Sequence, residues 1–223
     1  MDESFVLWDW WRDHNSVAPG KMTNPELLIA TYNAGKLREL RELLGEHQFE
    51  LRDLHSFSTV QVIAETGGTF AENAQLKATG YARQTGLMTL ADDSGLEVSA
   101  LGGLPGVWSA RYGGEGASDE ERVSKLLFEL ARVTKSERAA RFVSSIVIAD
   151  ATGAVLHEST GLCAGEIALA PRGKNGFGYD PIFIPAGFRK TFAELPSDVK
   201  NQMSHRSQAL KKAAEFLRSL TAQ

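Results

Sequence analysis

The run Gly86-Leu87-Met88-Thr89-Leu90 is apolar enough for a short buried strand, and it leads directly into Ala91-Asp92-Asp93-Ser94-Gly95. A chain that buries this run must bring two adjacent carboxylates to the end of a core strand. Ionised neighbours repel and raise each other's pKa unless a cation neutralises them, and Mg²⁺ is the usual hard cation for oxygen ligands beside phosphates. Asp-Ser-Gly is also ordinary turn chemistry. The five residues therefore leave a polar turn and a metal site equally open, and the remaining motifs have to decide.

Composition narrows the choice. The 223 residues, 43% of them hydrophobic, suit one domain with a sizeable core. With 24 Lys+Arg against 28 Asp+Glu, the net charge of -4 argues against general adhesion to nucleic acid or anionic membrane. No apolar run reaches the roughly 20 residues of a membrane span, and the N-terminus lacks a basic region followed by an apolar core. The one cysteine, Cys163, excludes an intrachain disulfide and CxxC zinc clusters, and reads as a small buried apolar residue of a reducing compartment. These points predict a cytoplasmic protein. Trp8, Trp10 and Trp11 follow no helical or strand period and Met22 sits just before the first convincing strand, so residues 1–22 read as an N-terminal extension, from an upstream start or a species-specific addition rather than a functional aromatic box, and 23–223 as the folded domain.

That domain opens with Leu27-Leu28-Ile29-Ala30-Thr31, a buried strand, which Asn33-Ala34-Gly35-Lys36 turns into a helix carrying Leu37, Leu40 and Leu44 on one face. The turn offers helix-start N–H groups, a hydroxyl at Thr31, an amide at Asn33 and an ammonium at Lys36, which together suit a phosphate. Asn33 as a plain helix cap and Lys36 as a solvated residue is the bland alternative. A Walker-type loop is excluded, because G-x-x-x-x-G-K-[ST] is absent and Gly173-Lys174 is followed by Asn175.

Phe49 to Ile63 reads as a strand and a loop. Thr69 and Glu72 then form a capping box that starts a helix running to about Gly86, with Asn73 and Lys77 four apart on a face no apolar partner explains. Glu65 stands before it in a glycine turn. After the central acids, Leu96 to Leu101 alternates like a strand, and Gly102 to Gly114 holds too much glycine for a regular element. Ser118 and Glu121 cap a helix with Val123, Leu126, Leu127 and Leu130 inward, and Arg141–Ala149 and Val155–Gly161 form a hairpin through Asp150-Ala151-Thr152-Gly153. Phe177, flanked by glycines before the strand Ile182-Phe183-Ile184, is better placed to lie on a planar ligand than in a core. Ser204-His205-Arg206 opens the last helix, with Leu210, Ala213, Ala214 and Leu217 on one stripe. Two cations there oppose the helix dipole, so neutral replacements should add stability, and the pair suggests a ligand. The alternation of elements predicts an α/β fold, a mixed curved sheet flanked by helices in two lobes with a central cleft.

Six motifs in order make the chain resemble the inosine triphosphate pyrophosphatase family, whose members remove non-standard purine nucleoside triphosphates such as ITP, dITP and XTP. They are Thr31-x-Asn33-x-x-Lys36, Glu65-Thr66-Gly67-x-Thr69-Phe70-x-Glu72-Asn73-Ala74-x-x-Lys77-Ala78, Ala91-Asp92-Asp93-Ser94-Gly95-Leu96, Gly106-Val107-Trp108-Ser109-Ala110-Arg111-Tyr112, Phe177-Gly178-Tyr179-Asp180-Pro181 and Ser204-His205-Arg206. The resemblance covers the chain from Leu27 onward and makes 23–223 a catalytic domain with the nucleotide in the cleft.

The resemblance implies Mg²⁺-dependent cleavage between the α and β phosphates, giving a nucleoside monophosphate and pyrophosphate. It assigns the triphosphate to the turn Thr31, Tyr32, Asn33, Ala34, Gly35 and Lys36, with Lys77 adding charge. It assigns metal to Glu65 and Asp93, with Asp92 and Glu72 as possible further ligands, the water-activating base to Asp93, and a substrate contact to Ser94. It stacks Phe177 on the base and frames the base with Gly178, Tyr179, Asp180, Lys200, His205 and Arg206. It also implies a homodimer. Donors aimed at position 6 would accept hypoxanthine's 6-oxo group and oppose adenine's 6-amino group, at roughly 1–3 kcal/mol per unpaired buried group. A nucleotide sensor would not need the acids, a pyrimidine enzyme would alter the Phe177 and His205 motifs, and an RNA-binding module would need interleaved basic and aromatic residues.

Overall fold

The computed structural model describes residues 24–45 and 49–221; the tryptophan segment and the boundary at residue 22 lie outside them. In chain order the main elements are β1 (Glu26–Ile29), α1 (Ala34–Leu44), β2 (Glu50–Asp53), α2 (Phe70–Thr85), β3 (Met88–Val98), α3 (Asp119–Glu129), β4 (Ala139–Ala149), β5 (Val155–Ile167), β6 (Phe183–Pro185), α4 (Ser197–Met203) and α5 (His205–Thr221). The strands form a single six-stranded mixed sheet in the order β2-β1-β3-β4-β5-β6. β1 is parallel to both its neighbours, and β3 through β6 are antiparallel. The expected α/β class and mixed, helix-flanked sheet are therefore present.

The acids do not sit where a strand ends. β3 runs unbroken from Met88 to Val98 and pairs with β4 from Thr89↔Ala149 to Val98↔Ala140, so the expected strand, turn and second strand are one element. The paired β4 backbone satisfies the β3 ladder through Asp92-Asp93-Ser94-Gly95, which removes any need for a turn. The glycine-rich stretch after it also contains regular pieces, 3-10 turns at Ser99–Leu101 and Gly106–Arg111, and Ile182 ends a 3-10 turn before β6.

Alternation along β3 then decides what each side chain meets. One face presents Leu90, Asp92, Ser94, Leu96 and Val98 in register with Ile148, Ile146, Ser144, Phe142 and Ala140 of β4. That face is apolar at both ends and polar in the middle. At one end Leu90, Ile146 and Ile148 pack with Leu27, Ile29 and Leu40 and with Ala209, Leu210, Ala213 and Leu217 of α5. At the other, Leu96, Val98, Ala140 and Phe142 pack with Val123, Leu126 and Leu130 of α3, Phe183 and Phe192. The opposite face carries Ala91, Val147 and Ala149 against Ala74, Ala78, Tyr81 and Ala82 of α2. Two apolar cores on one face with a polar band between them give two lobes and a gap.

The second determinant of the gap is strand length. β1 pairs with β3 only at Met88, Thr89 and Leu90, its last contact being Ala30 N–H to Leu90 O at 2.8 Å. Beyond Leu90 the β3 edge has no strand partner until Leu96 N–H meets Ser109 Oγ at 2.9 Å and Glu97 bridges Pro105. Ligands of open α/β sheets bind where parallel strands stop in this way.

Candidate active site

At the end of β1 the chain turns into α1 through a cap in which Asn33 Oδ1 accepts from Lys36 N at 3.0 Å and Thr31 Oγ1 accepts from Asn33 N at 3.1 Å. No acidic residue occupies the first turn of α1. Tyr32, Asn33 and Ala34 are exposed, so the start of the helix is open to solvent and suits an anion. The Lys36 ammonium reaches back 3.0 Å to Asp92, and burial pulls its pKa down, a shift the Asp92 charge only partly offsets.

Asp92 and Asp93, consecutive in sequence, project from opposite faces of β3. Asp92 is buried and saturated: Ser144 Oγ donates to Oδ1 at 2.5 Å, Ser94 Oγ to Oδ2 at 3.1 Å, and Arg206 Nη2 and Lys36 Nζ lie 3.2 and 3.0 Å from Oδ2. Burial would raise its pKa, but Arg206 and Lys36 outweigh that and hold it far below the carboxylate range. A carboxylate so committed is a structural anion, which leaves Asp92 no free oxygen to serve as the further metal ligand the resemblance allowed.

Among the described residues, Asp93 has one ion-pair partner. Lys77, from the middle of α2, places its Nζ 2.8 Å from Asp93 Oδ1, 2.9 Å from Glu65 Oε1 and 2.9 Å from the Asp92 carbonyl, which points to the edge that β1 has left. Burial pushes the Asp93 carboxyl up, with Lys77 and Lys36 recovering only part of the shift. Glu65 is less buried, and Lys77 wins there over desolvation, so its pKa is lowered. Two carboxylates converging on one ammonium are hard oxygen donors around a single point, a donor set that fits a divalent cation. Among the described residues no group of three or more His, Cys, Asp or Glu could hold a metal, so phosphate oxygens and water would have to complete its shell. Glu72 drops out of the ligand set, because its Oε2 closes the capping box on Thr69 N and also takes Gly68 N at 2.6 Å.

Across the gap stands Phe177. Its ring packs so closely on α1 that a Cβ at Gly35 would fall 2.6 Å from Cδ1, and the Lys200 ammonium and Arg206 guanidinium lie over the ring at 5.1 and 5.6 Å. Both cations are buried in a network absent from the sequence reading: Lys200 pairs with Glu39 at 2.8 Å and with Asp180, and Arg206 pairs with Glu39 and Asp92. Burial would raise the Glu39 pKa, and the Arg206 and Lys200 charges lower it overall. Glu39 falls inside the apolar stripe of α1, one residue before Leu40, and a charge in that position was the available signal. The partners of Arg206 overturn the expectation that neutral replacements add stability, since its loss would strand two buried carboxylates. His205 carries no charge to oppose the dipole, because burial, aided by Arg206 and Lys200, holds its pKa well below the usual imidazole value. It stacks on Phe142 at 4.6 Å, and its buried Nδ1 has no hydrogen-bond partner among the described residues.

One cavity of about 380 Å³ joins these groups. Thr31, Tyr32, Asn33 and Lys36 line it with Glu65, Lys77, Asp93 and Ser94, and Phe177, Gly178, Tyr179, Asp180, Lys200, His205 and Arg206 close its other end. Gly35 backs Phe177, and Ala34 is exposed beside it. Asp119 and Arg122 of α3 also line it and were not singled out in the sequence. The arrangement can hold an anion at one end and a planar ring at the other, with a carboxylate of raised pKa between.

Residues 27–216 match the model of the Ham1 family. A protein of Streptococcus pyogenes serotype M1 named dITP/XTP pyrophosphatase is 48% identical over 190 residues, 85% of this chain and 58% of that protein. The chain thus spans 58% of the length of the streptococcal relatives it matches. One of the same name from Bacillus subtilis strain 168 is 45% identical over 192 residues, 86% of this chain and 96% of that protein. The solved structure of a HAM1 protein from Coxiella burnetii superimposes with a TM-score of 0.79 at 45% identity, covering 87% of this chain and 99% of that one. A nucleoside-triphosphatase / dITP/XTP pyrophosphatase from Mycobacterium abscessus gives 0.69 at 40% identity, covering 84% and 98%. A family match over residues 27–216, with 45–48% identity to relatives along most of its length, means that this chain belongs to the Ham1 family.

Proposed function

We propose that the protein hydrolyses non-standard purine nucleoside triphosphates, dITP, XTP and ITP, to the monophosphate and pyrophosphate. The observation that carries this reading is that a single cavity holds an anion-binding helix start, a convergent carboxylate pair and an aromatic ring flanked by cations. The triphosphate takes the first turn of α1 with Lys36 and Lys77, and the purine lies against Phe177. Asp93 takes the proton of the attacking water, and one P–O bond of the α–β anhydride is exchanged for a bond to that water's oxygen. Burial raises the Asp93 pKa, which makes its carboxylate a stronger proton acceptor.

Glu65 and Asp93, the two carboxylates that converge beside Lys77, would hold Mg²⁺. Bound there, the ion would neutralise phosphate charge and ease ionisation of water. Selectivity against ATP follows from Lys200 and Arg206, donor-only groups beside the ring platform that suit a 6-oxo acceptor and oppose a 6-amino group. The relatives named dITP/XTP pyrophosphatase support the substrate class. A homodimer belongs to the same reading on the resemblance alone, and light scattering on the purified protein tests it.

Pyrophosphate release measured in parallel with dITP, XTP, ITP, GTP and ATP, with and without Mg²⁺, is the deciding experiment. The reading expects turnover of the first three that needs the metal, and far less with ATP. Equal rates on ATP, or release of inorganic phosphate alone, would sink it.

A further inference from the structure

The loop that carries Phe177 is held from the lobe it shares with α3, where Tyr179 packs in one core with Val123, Leu126 and Leu130. Within the loop, Phe177 N–H donates to Asp180 Oδ2 at 2.9 Å and Asp180 N–H to Phe177 O at 3.2 Å. From outside, the Tyr179 hydroxyl donates to Ser109 O at 2.9 Å, and Gly178 N–H donates to Asp119 Oδ2 at 2.6 Å. Gly178 sits at φ +61°, a left-handed conformation that aims its N–H at α3. Asp119 is the first residue of α3, following the Ser118 cap, and its other oxygen pairs with the Arg122 guanidinium. Arg122 in turn donates to Ala110 O at 2.9 Å and Ala117 O at 2.5 Å, so the carboxylate is fixed by the segment that borders β3. Phe177 therefore reaches the α1 start from a support anchored on α3.

We infer that Asp119 is a positioning residue for the nucleobase platform: it holds the Gly178 amide and so sets where Phe177 presents its ring. The inference rests on the proposed stacking of a purine on Phe177. A platform contributes equally to ground-state and transition-state binding, so its displacement raises KM and leaves kcat nearly intact. Phosphate binding, at the far end of the cavity, is untouched.

The test is Asp119→Ala in the full chain, with Asp119→Asn as the conservative variant that keeps an acceptor for Gly178. Asp119→Ala is expected to raise KM for ITP and for XTP by about ten-fold, the size of a charge-assisted hydrogen bond reduced by partial exposure. Turnover should stay within about two-fold, as for loss of uniform binding. Product inhibition by inorganic pyrophosphate should not change, the Gly178 amide proton should exchange faster in the ligand-free protein, and Asp119→Asn should recover most of the KM. An unchanged KM despite a freed Gly178 amide, a protected amide in Asp119→Ala, or a parallel loss of pyrophosphate binding would each overturn the inference. Should Asp119→Ala not fold, Asp119→Asn with KM and exchange near those of the parent supports the tether, and KM raised with Gly178 still protected refutes it. A parent protein that binds IMP but releases no pyrophosphate from any nucleotide would refute the proposed reaction, while the IMP affinities of the variants still decide the role of Asp119.

Discussion

The two faces of β3 at Asp92 and Asp93 are the same residue type one position apart, with opposite fates. Asp92 faces the band between the two cores, where Arg206, Lys36, Ser94 and Ser144 surround it. Asp93 faces the α2 side, where one ammonium is shared with Glu65. Burial is severe for both, and the number of compensating partners decides the sign: the pKa of Asp92 falls and that of Asp93 rises. A saturated carboxylate holds structure and an under-compensated one is available for chemistry, even though nothing in Asp-Asp distinguishes them.

The sharpest break would come from Asp92→Asn. Removing one member of a buried ion-pair network leaves Arg206 and Lys36 partly uncompensated, so stability should fall by about 3–5 kcal/mol in denaturant melts. A loss below ~1 kcal/mol would mean that the network is dispensable. Asp93→Asn should behave in the opposite way, with kcat lower by at least ~10²-fold, equivalent to ~2.7 kcal/mol, and stability at neutral pH equal or higher. Near-normal turnover would remove Asp93 as the base.

Glu39→Gln probes the support of the cations beyond Asp92. It should cost about 1–3 kcal/mol of stability and narrow the preference for ITP over ATP, as Lys200 and Arg206 lose their shared anchor. An unchanged ITP to ATP ratio of kcat/KM would separate the network from base recognition. Gly35→Ala asks about the platform from the α1 side. A methyl 2.6 Å from the Phe177 ring must displace it, so KM for ITP should rise several-fold, on the order of 1 kcal/mol, and crystallography of the variant would reveal whether the ring moved.

The smallest effect is in the pH dependence of stability, where the two acids differ in sign. Asp92 has a folded pKa below its unfolded value near ~3.9, so its contribution is complete above that value and is lost as pH falls toward the folded one. Asp93 has a raised folded pKa, so its ionised form costs stability above that pKa, and the cost disappears as pH falls below ~3.9. Any gain from Asp93→Asn at pH 7 should therefore vanish at low pH, whereas the deficit of Asp92→Asn should shrink only under still more acidic conditions. Parallel pH dependences for the two variants would erase the distinction between the faces.

The elements and the cast of the site were legible along the chain. Local signals were enough for the caps at Asn33, Thr69 and Ser118, because each uses a side chain within three residues of the backbone it satisfies. The apolar periods of α1, α3 and α5 are read from spacing alone, and the motifs that carried the family resemblance line one cavity. Tertiary structure decided the roles. The unbroken β3 depends on β4, more than 40 residues away, supplying the ladder that makes a turn at Asp92-Asp93 unnecessary. Arg206 reads locally as a misplaced cation at a helix start and becomes a buried counter-ion only when Asp92 and Glu39, 114 and 167 residues distant, fold against it. Charge compensation depends on distance in space and on the water excluded between partners, and neither quantity is written along the chain.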